Sequence, residues 1–141
     1  NSKVLEHLLH KFIGASWDVT SRSTPQAALE AVREMAFDLV IMDEVFSDEA
    51  EGMRGSDAVR EIRRFEEQQD DSRKAIIVMC SSNTSDDAAS MFMRAGADAV
   101  WSKPYTGSNL QNDLEMLFAA RWREASACID REKAAIQKKL N

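Results

Sequence analysis

Three short apolar runs constrain this chain more than any other feature: FDLVIMDE (37–44), KAIIVMCSS (74–82) and ADAVWSKP (97–104). Each has the length of a strand rather than of a helix, and amphipathic stretches of helical period lie between them. Continuous apolar strands of this kind are buried on both faces, which is the condition of a parallel sheet covered by helices. The alternation therefore predicts βαβ units and an α/β fold.

The intervening stretches supply the helices. TPQAALEAVREMA has Thr24 placed as an N-cap, Pro25 at the first helical position, and Ala28, Leu29 and Val32 on one face. SDAVREIRRFEEQ is amphipathic through Val59, Ile62 and Phe65, and SDDAASMFMRAG closes on Gly96. At the N-terminus, NSKVLEHLLHKFIGAS puts Val4, Leu5, Leu8, Leu9 and Phe12 on one helical face, and WDVTSRS alternates as a short strand.

Composition narrows the classes of function. With 141 residues, 44% hydrophobic and 30% charged, the chain suits one globular domain with an appendage. A net charge of -6 argues against sequence-independent binding to nucleic acid or to an anionic membrane. No apolar stretch approaches the roughly 20 residues that span a bilayer. Cys80 and Cys128 have neither zinc nor redox spacing, so they read as packing residues in a reducing, cytoplasmic setting. There is no glycine-rich phosphate loop after a strand and no nucleophile elbow, so an enzyme is not expected.

Open parallel sheets place their sites beyond the carboxyl ends of the strands. There the three runs deliver Asp43 with Glu44, Ser81 with Ser82, and Ser102 with Lys103. A carboxylate, a hydroxyl and an ammonium gathered at one edge can accept and recognise a phosphoryl group.

In these residues the sequence resembles the response-regulator receiver domain of two-component signalling. The resemblance runs from residue 1 to about residue 118, and its most specific parts are LVIMD, GSDAVREIR and AGADAVWSKP in that order. It implies a flavodoxin-like (CheY-like) parallel sheet with helices on both faces. It also implies that Asp43 is the phosphoacceptor, Ser81 the switch hydroxyl, Lys103 the lysine that pairs with the phosphoryl group, and Pro104 a cis-proline. Mg²⁺ is the implied cofactor, held by Asp43, by the backbone carbonyl of Val45 and by further acids. The implied partner is a histidine kinase or a histidine phosphotransfer protein.

The sequence departs from the family in several places. The family's first strand and its acidic pair precede the first helix and are absent from this sequence. Either the sequence given starts downstream of them, which the retained motif residues favour, or the receiver is degenerate and acts as a phosphorylation-independent interaction or dimerisation module. Without that strand the sheet has a gap beside FDLVIMDE. The loop EVFSDEAEGMRGSD is longer than usual, and its acids Glu44, Asp48, Glu49 and Glu51 read as solvated rather than metal-binding. Val100 stands where many receivers carry a switch aromatic, with Trp101 one residue later, so aromatic gating of the usual form is not expected.

Residues 1–118 are thus read as an N-terminally incomplete receiver and 119–141 as a helical extension. From Asn109 to Leu140 there is neither proline nor glycine. Trp122, Ile129 and Ile136 recur every seven residues, with Ala125 and Leu140 near the complementary seam. This pattern leaves open a dimerising or signalling helix that would form a homodimer, a solvated extension, or a helix packed on its own domain. His7 and His10 read as surface residues of the first helix.

Overall fold

The computed structural model describes residues 18–45, 52–69, 74–104 and 107–140. Three parallel strands alternate with helices in the order α1 (Pro25–Glu34), β1 (Leu39–Asp43), α2 (Gly55–Gln68), β2 (Ile76–Ser81), α3 (Asp86–Ala95), β3 (Ala99–Ser102) and α4 (Gly107–Leu140). The sheet order is β1-β2-β3, with Met42 opposite Met79 in the first ladder and Cys80 opposite Trp101 in the second. The expected α/β architecture is present, with helices on both faces.

Local chemistry explains where the helices start and stop. The Thr24 hydroxyl accepts a hydrogen bond from the Ala27 N–H at 3.1 Å, and Pro25 follows in the first turn. Ser85 caps α3 in the same way through the Ala88 N–H. The α3 helix ends at Gly96, whose φ of 122° lies where a side chain is strained; a Cβ there would also press on the Arg63 side chain at 2.6 Å.

Packing follows the period of two along β2, which is buried at every position. Ile77 and Met79 face Leu29 of α1, Val59 and Ile62 of α2 and Phe92 of α3. Ile76, Val78 and Cys80 face the other way, with Trp101, onto Leu110 and Leu114 of α4. An apolar run without alternation is what a strand sandwiched in this way requires.

Polar closure lies at the amino-terminal edge of the strands, away from the candidate site. Arg63 donates to the carbonyls of Ala75 (2.8 Å) and Gly96 (2.9 Å), to Glu66 (2.7 Å) and to Asp98 (2.9 Å). Those acids also accept backbone N–H groups, Glu66 from Ala75 and Asp98 from Ile77. The α4 helix is tied to the same edge: Arg121 donates to the Lys74 carbonyl at 2.6 Å and lies 3.6 Å from Asp98. Arg63→Met keeps an apolar stem but removes four donated bonds. The variant is expected to lose about 2 kcal/mol in a urea titration, with reaction at Asp43 little changed because the network lies at the opposite edge.

The structure corrects one expected strand. Within WDVTSRS, Asp18–Arg22 form no ladder with the sheet, and among the described residues β1 is an edge strand. Alternation gives a strand only a preference; the strand itself is made by the neighbour that supplies its hydrogen bonds. The first predicted helix, His7, His10, the acids Asp48, Glu49 and Glu51, and the side chains of Trp122, Ala125, Cys128, Ile129 and Leu140 lie outside the described residues. Among the described residues no helix is long and apolar enough to cross a membrane.

Candidate functional site

The three strands end side by side, so their last residues meet at one edge. Asp43 is the final residue of β1 and is in register with Cys80, one position before Ser81 ends β2. Ser81 is opposite Ser102, and its carbonyl accepts the Lys103 N–H at 3.1 Å, which carries the ladder one residue beyond β3. The Lys103–Pro104 peptide bond is cis.

From that position Lys103 reaches across the end of β2 to Asp43. Its Nζ lies 2.8 Å from Asp43 Oδ1, and both side chains are about a third exposed, at 33% and 31%. An ion pair this open contributes about 0–1 kcal/mol to stability, so its main consequence is for the chemistry of the edge. A compact ammonium beside a solvent-reachable carboxylate suits a site that takes on further negative charge. Ser81 is nearly buried, and its Oγ accepts from the Asn83 N–H at 3.1 Å; a hydroxyl that accepts there retains its own proton to donate. The structure therefore brings Asp43, Lys103 and Ser81 to one edge.

Glu44 overturns its sequence reading. It is only 7% exposed, and its Oε1 accepts from both the N–H (2.9 Å) and the hydroxyl (2.8 Å) of Ser56, at the start of α2. An acid at the positive end of a helix is electrostatically favoured, which offsets part of its desolvation. The sequence signal for this arrangement is weak, because Ser56 is twelve residues away across a loop. Gly55 is equally constrained: a Cβ there would run into the Asp43 carbonyl oxygen and lie 2.9 Å from Met42 Cγ. Val45, the expected backbone ligand, has a side chain 57% exposed. Val100 packs against the face of the core that carries α2 and α3. Trp101 turns to the opposite face, where its Nε1 donates to Asp113 of α4 at 2.9 Å.

A doubly covered parallel sheet with an acid, a hydroxyl and a lysine gathered at its carboxyl edge places its polar groups where open α/β sheets carry their sites. A family model described as the response regulator receiver domain matches residues 1–115, and the chain belongs to that family of two-component signalling. Solved structures agree on the fold. The receiver domain of the Francisella response regulator 1452 is similar with a TM-score of 0.67 at 16% identity, covering 86% of this chain and 92% of that one. A CheY-like receiver domain protein from Methanospirillum hungatei JF-1 gives 0.70 at 17% identity, covering 88% and 91%. The receiver domain of the sensor histidine kinase PA1611 from Pseudomonas aeruginosa PAO1, which has a magnesium ion coordinated in its active-site cleft, gives 0.66 at 23% identity, covering 82% and 86%. No curated protein matches the chain significantly.

Proposed function

We propose that the chain is the phosphoacceptor of a two-component phosphorelay, receiving a phosphoryl group on Asp43 from a histidine kinase or a histidine phosphotransfer protein. The observation that carries this reading is the 2.8 Å pairing of Asp43 with Lys103 at the carboxyl edge of the sheet, in a chain of the receiver family. In the transfer an Asp43 oxygen bonds to phosphorus while the bond from phosphorus to the donor imidazole nitrogen breaks. That nitrogen keeps the electron pair and takes up a proton. Lys103 then pairs with phosphoryl oxygens, and the Ser81 hydroxyl donates a hydrogen bond to one of them. The chain is the substrate of the transfer and not an enzyme.

Mg²⁺ takes hard oxygen donors and keeps several waters, so the Asp43 carboxylate and the Val45 carbonyl fit it by chemistry and would hold it. Among the described residues no group of three metal-binding side chains gathers. When bound, the ion supplies positive charge against the phosphoryl oxygens. The output of the switch is the surface formed by the later strands and helices. The stretch of α4 from residue 130 to 139 has exposed side chains, including Ile136 at 59%, which suits pairing with a second copy.

Incubation with phosphoramidate and Mg²⁺ tests the reading directly. A hydroxylamine-labile phosphoryl group is expected on the peptide that contains Asp43. A complete domain, with the family's first strand and acidic pair, that stays unlabelled would overturn the reading in favour of a phosphorylation-independent interaction module.

A further inference from the structure

We infer that Glu44 is a positioning residue for the reaction at Asp43, acting as a brace that fixes the end of β1 against the start of α2. The inference rests on the reading of Asp43 as phosphoacceptor. The backbone N–H, the backbone carbonyl and one carboxylate oxygen of Glu44 are all engaged. Its N–H donates to the Cys80 carbonyl at 3.1 Å, one rung beyond the end of β1. Its carbonyl accepts the Gly55 N–H at 3.0 Å, and its carboxylate accepts both donors of Ser56.

Met42, only 1% exposed, locks the other side of Asp43 into the core. The backbone of Asp43 is thus held between a packed side chain and a residue tied to two separate elements. Its carboxylate pairs with Lys103 and remains about a third exposed, where a donor can reach it. The same brace consumes the Ser56 N–H in the first turn of α2, so that donor is not offered to the phosphoryl group. Lys103 and Ser81 are the side chains placed at that edge, among the described residues, to meet the new oxygens. Glu44 also sets the entry to Val45, whose carbonyl is the proposed metal donor.

Three variants test this, each labelled with phosphoramidate and Mg²⁺ over a range of donor concentrations. Glu44→Ala is expected to lower the rate at saturating donor about ten-fold, with the half-saturating concentration unchanged, because orientation is lost and not donor binding. Glu44→Gln keeps an oxygen acceptor for Ser56 and should return to within about two-fold of wild type. Ser56→Ala removes one of the two bonds and should fall between them, at a loss of about three-fold.

Amide hydrogen exchange supplies a readout independent of labelling. In Glu44→Ala the Gly55 N–H should exchange about ten-fold faster, while Val59 and Ile62 keep their protection. A folded Glu44→Ala that labels at the wild-type rate overturns the inference, as does a Glu44→Gln that fails equally badly. If Glu44→Ala does not fold, an unchanged rate in Ser56→Ala overturns it. If the complete wild-type domain is not labelled at all, the phosphoacceptor reading fails, and the Gly55 exchange decides the brace by itself: no acceleration in Glu44→Ala overturns it.

Discussion

Asp43→Asn is expected to abolish phosphoryl incorporation while leaving the protein folded. The amide has the shape of the carboxylate but lacks a nucleophilic anionic oxygen, so no acyl phosphate can form. Little stability is at stake, since the ion pair that is lost is about a third exposed on both sides and such pairs contribute about 0–1 kcal/mol. Lys103 loses its charge partner in the variant, so its resonance in a heteronuclear NMR spectrum should shift even though the fold persists. Labelling of Asp43→Asn at the wild-type level would show that another residue accepts the phosphoryl group. Labelling that disappears together with the folded spectrum would show that the loss came through structure, and Asp43→Ala would then separate the two causes by its own denaturation curve.

Gly55→Ala should be the most damaging single methyl group that can be added near the site. Helix propensity favours alanine over glycine by about 1 kcal/mol, so the substitution would stabilise an exposed helix. Here the opposite is expected. The new Cβ would overlap the Asp43 carbonyl oxygen and lie 2.8 Å from the Asp43 carbonyl carbon and 2.9 Å from Met42 Cγ. Two of these three neighbours are backbone atoms of a strand, which cannot step aside as the end of a flexible side chain does. Overpacking of this kind costs about 1–3 kcal/mol and occasionally more, and the upper end applies where backbone must move. The denaturation midpoint of Gly55→Ala should therefore fall by an amount equivalent to about 3 kcal/mol. Labelling should fall even below the transition, because α2 can make room only by pushing the end of β1. A variant as stable as wild type would mean that α2 and β1 separate more easily than their contacts indicate.

The sequence revealed strand identity and strand ends better than it revealed what surrounds them. FDLVIMDE, KAIIVMCSS and ADAVWSKP each carry an unbroken apolar run because both faces of the sheet are covered, and that pattern survives without knowledge of any partner. Asp43, Ser81 and Lys103 could be found because a parallel sheet brings consecutive strand ends to one edge. WDVTSRS misled because period-two alternation describes a surface, whereas a strand depends on a neighbour that local sequence does not contain. Glu44 misled for a related reason: next to Asp48, Glu49 and Glu51 it reads as one acid among several in a polar loop, while its burial depends on the hydroxyl and amide of Ser56. Arg63 carries no signal in the sequence, because its carbonyl acceptors at Ala75 and Gly96 come from two connections that local sequence does not link.

The anchoring of α4 at Arg121 has a mechanical consequence. The helix continues from that point to Leu140, and at about 1.5 Å per residue the stretch beyond it is roughly 28 Å long. A rigid arm pivoting at its base magnifies small movements: a tilt of about 10° at the fulcrum would sweep the tip by roughly 5 Å, more than the sub-ångström shifts that start many switches. The fulcrum rests on Asp98 and Lys74, at the end of the sheet opposite Asp43, while Trp101 and Asp113 clamp the arm's base from the side of β3. A displacement at either clamp would be read out as leverage far from the domain, with no need for the core itself to rearrange.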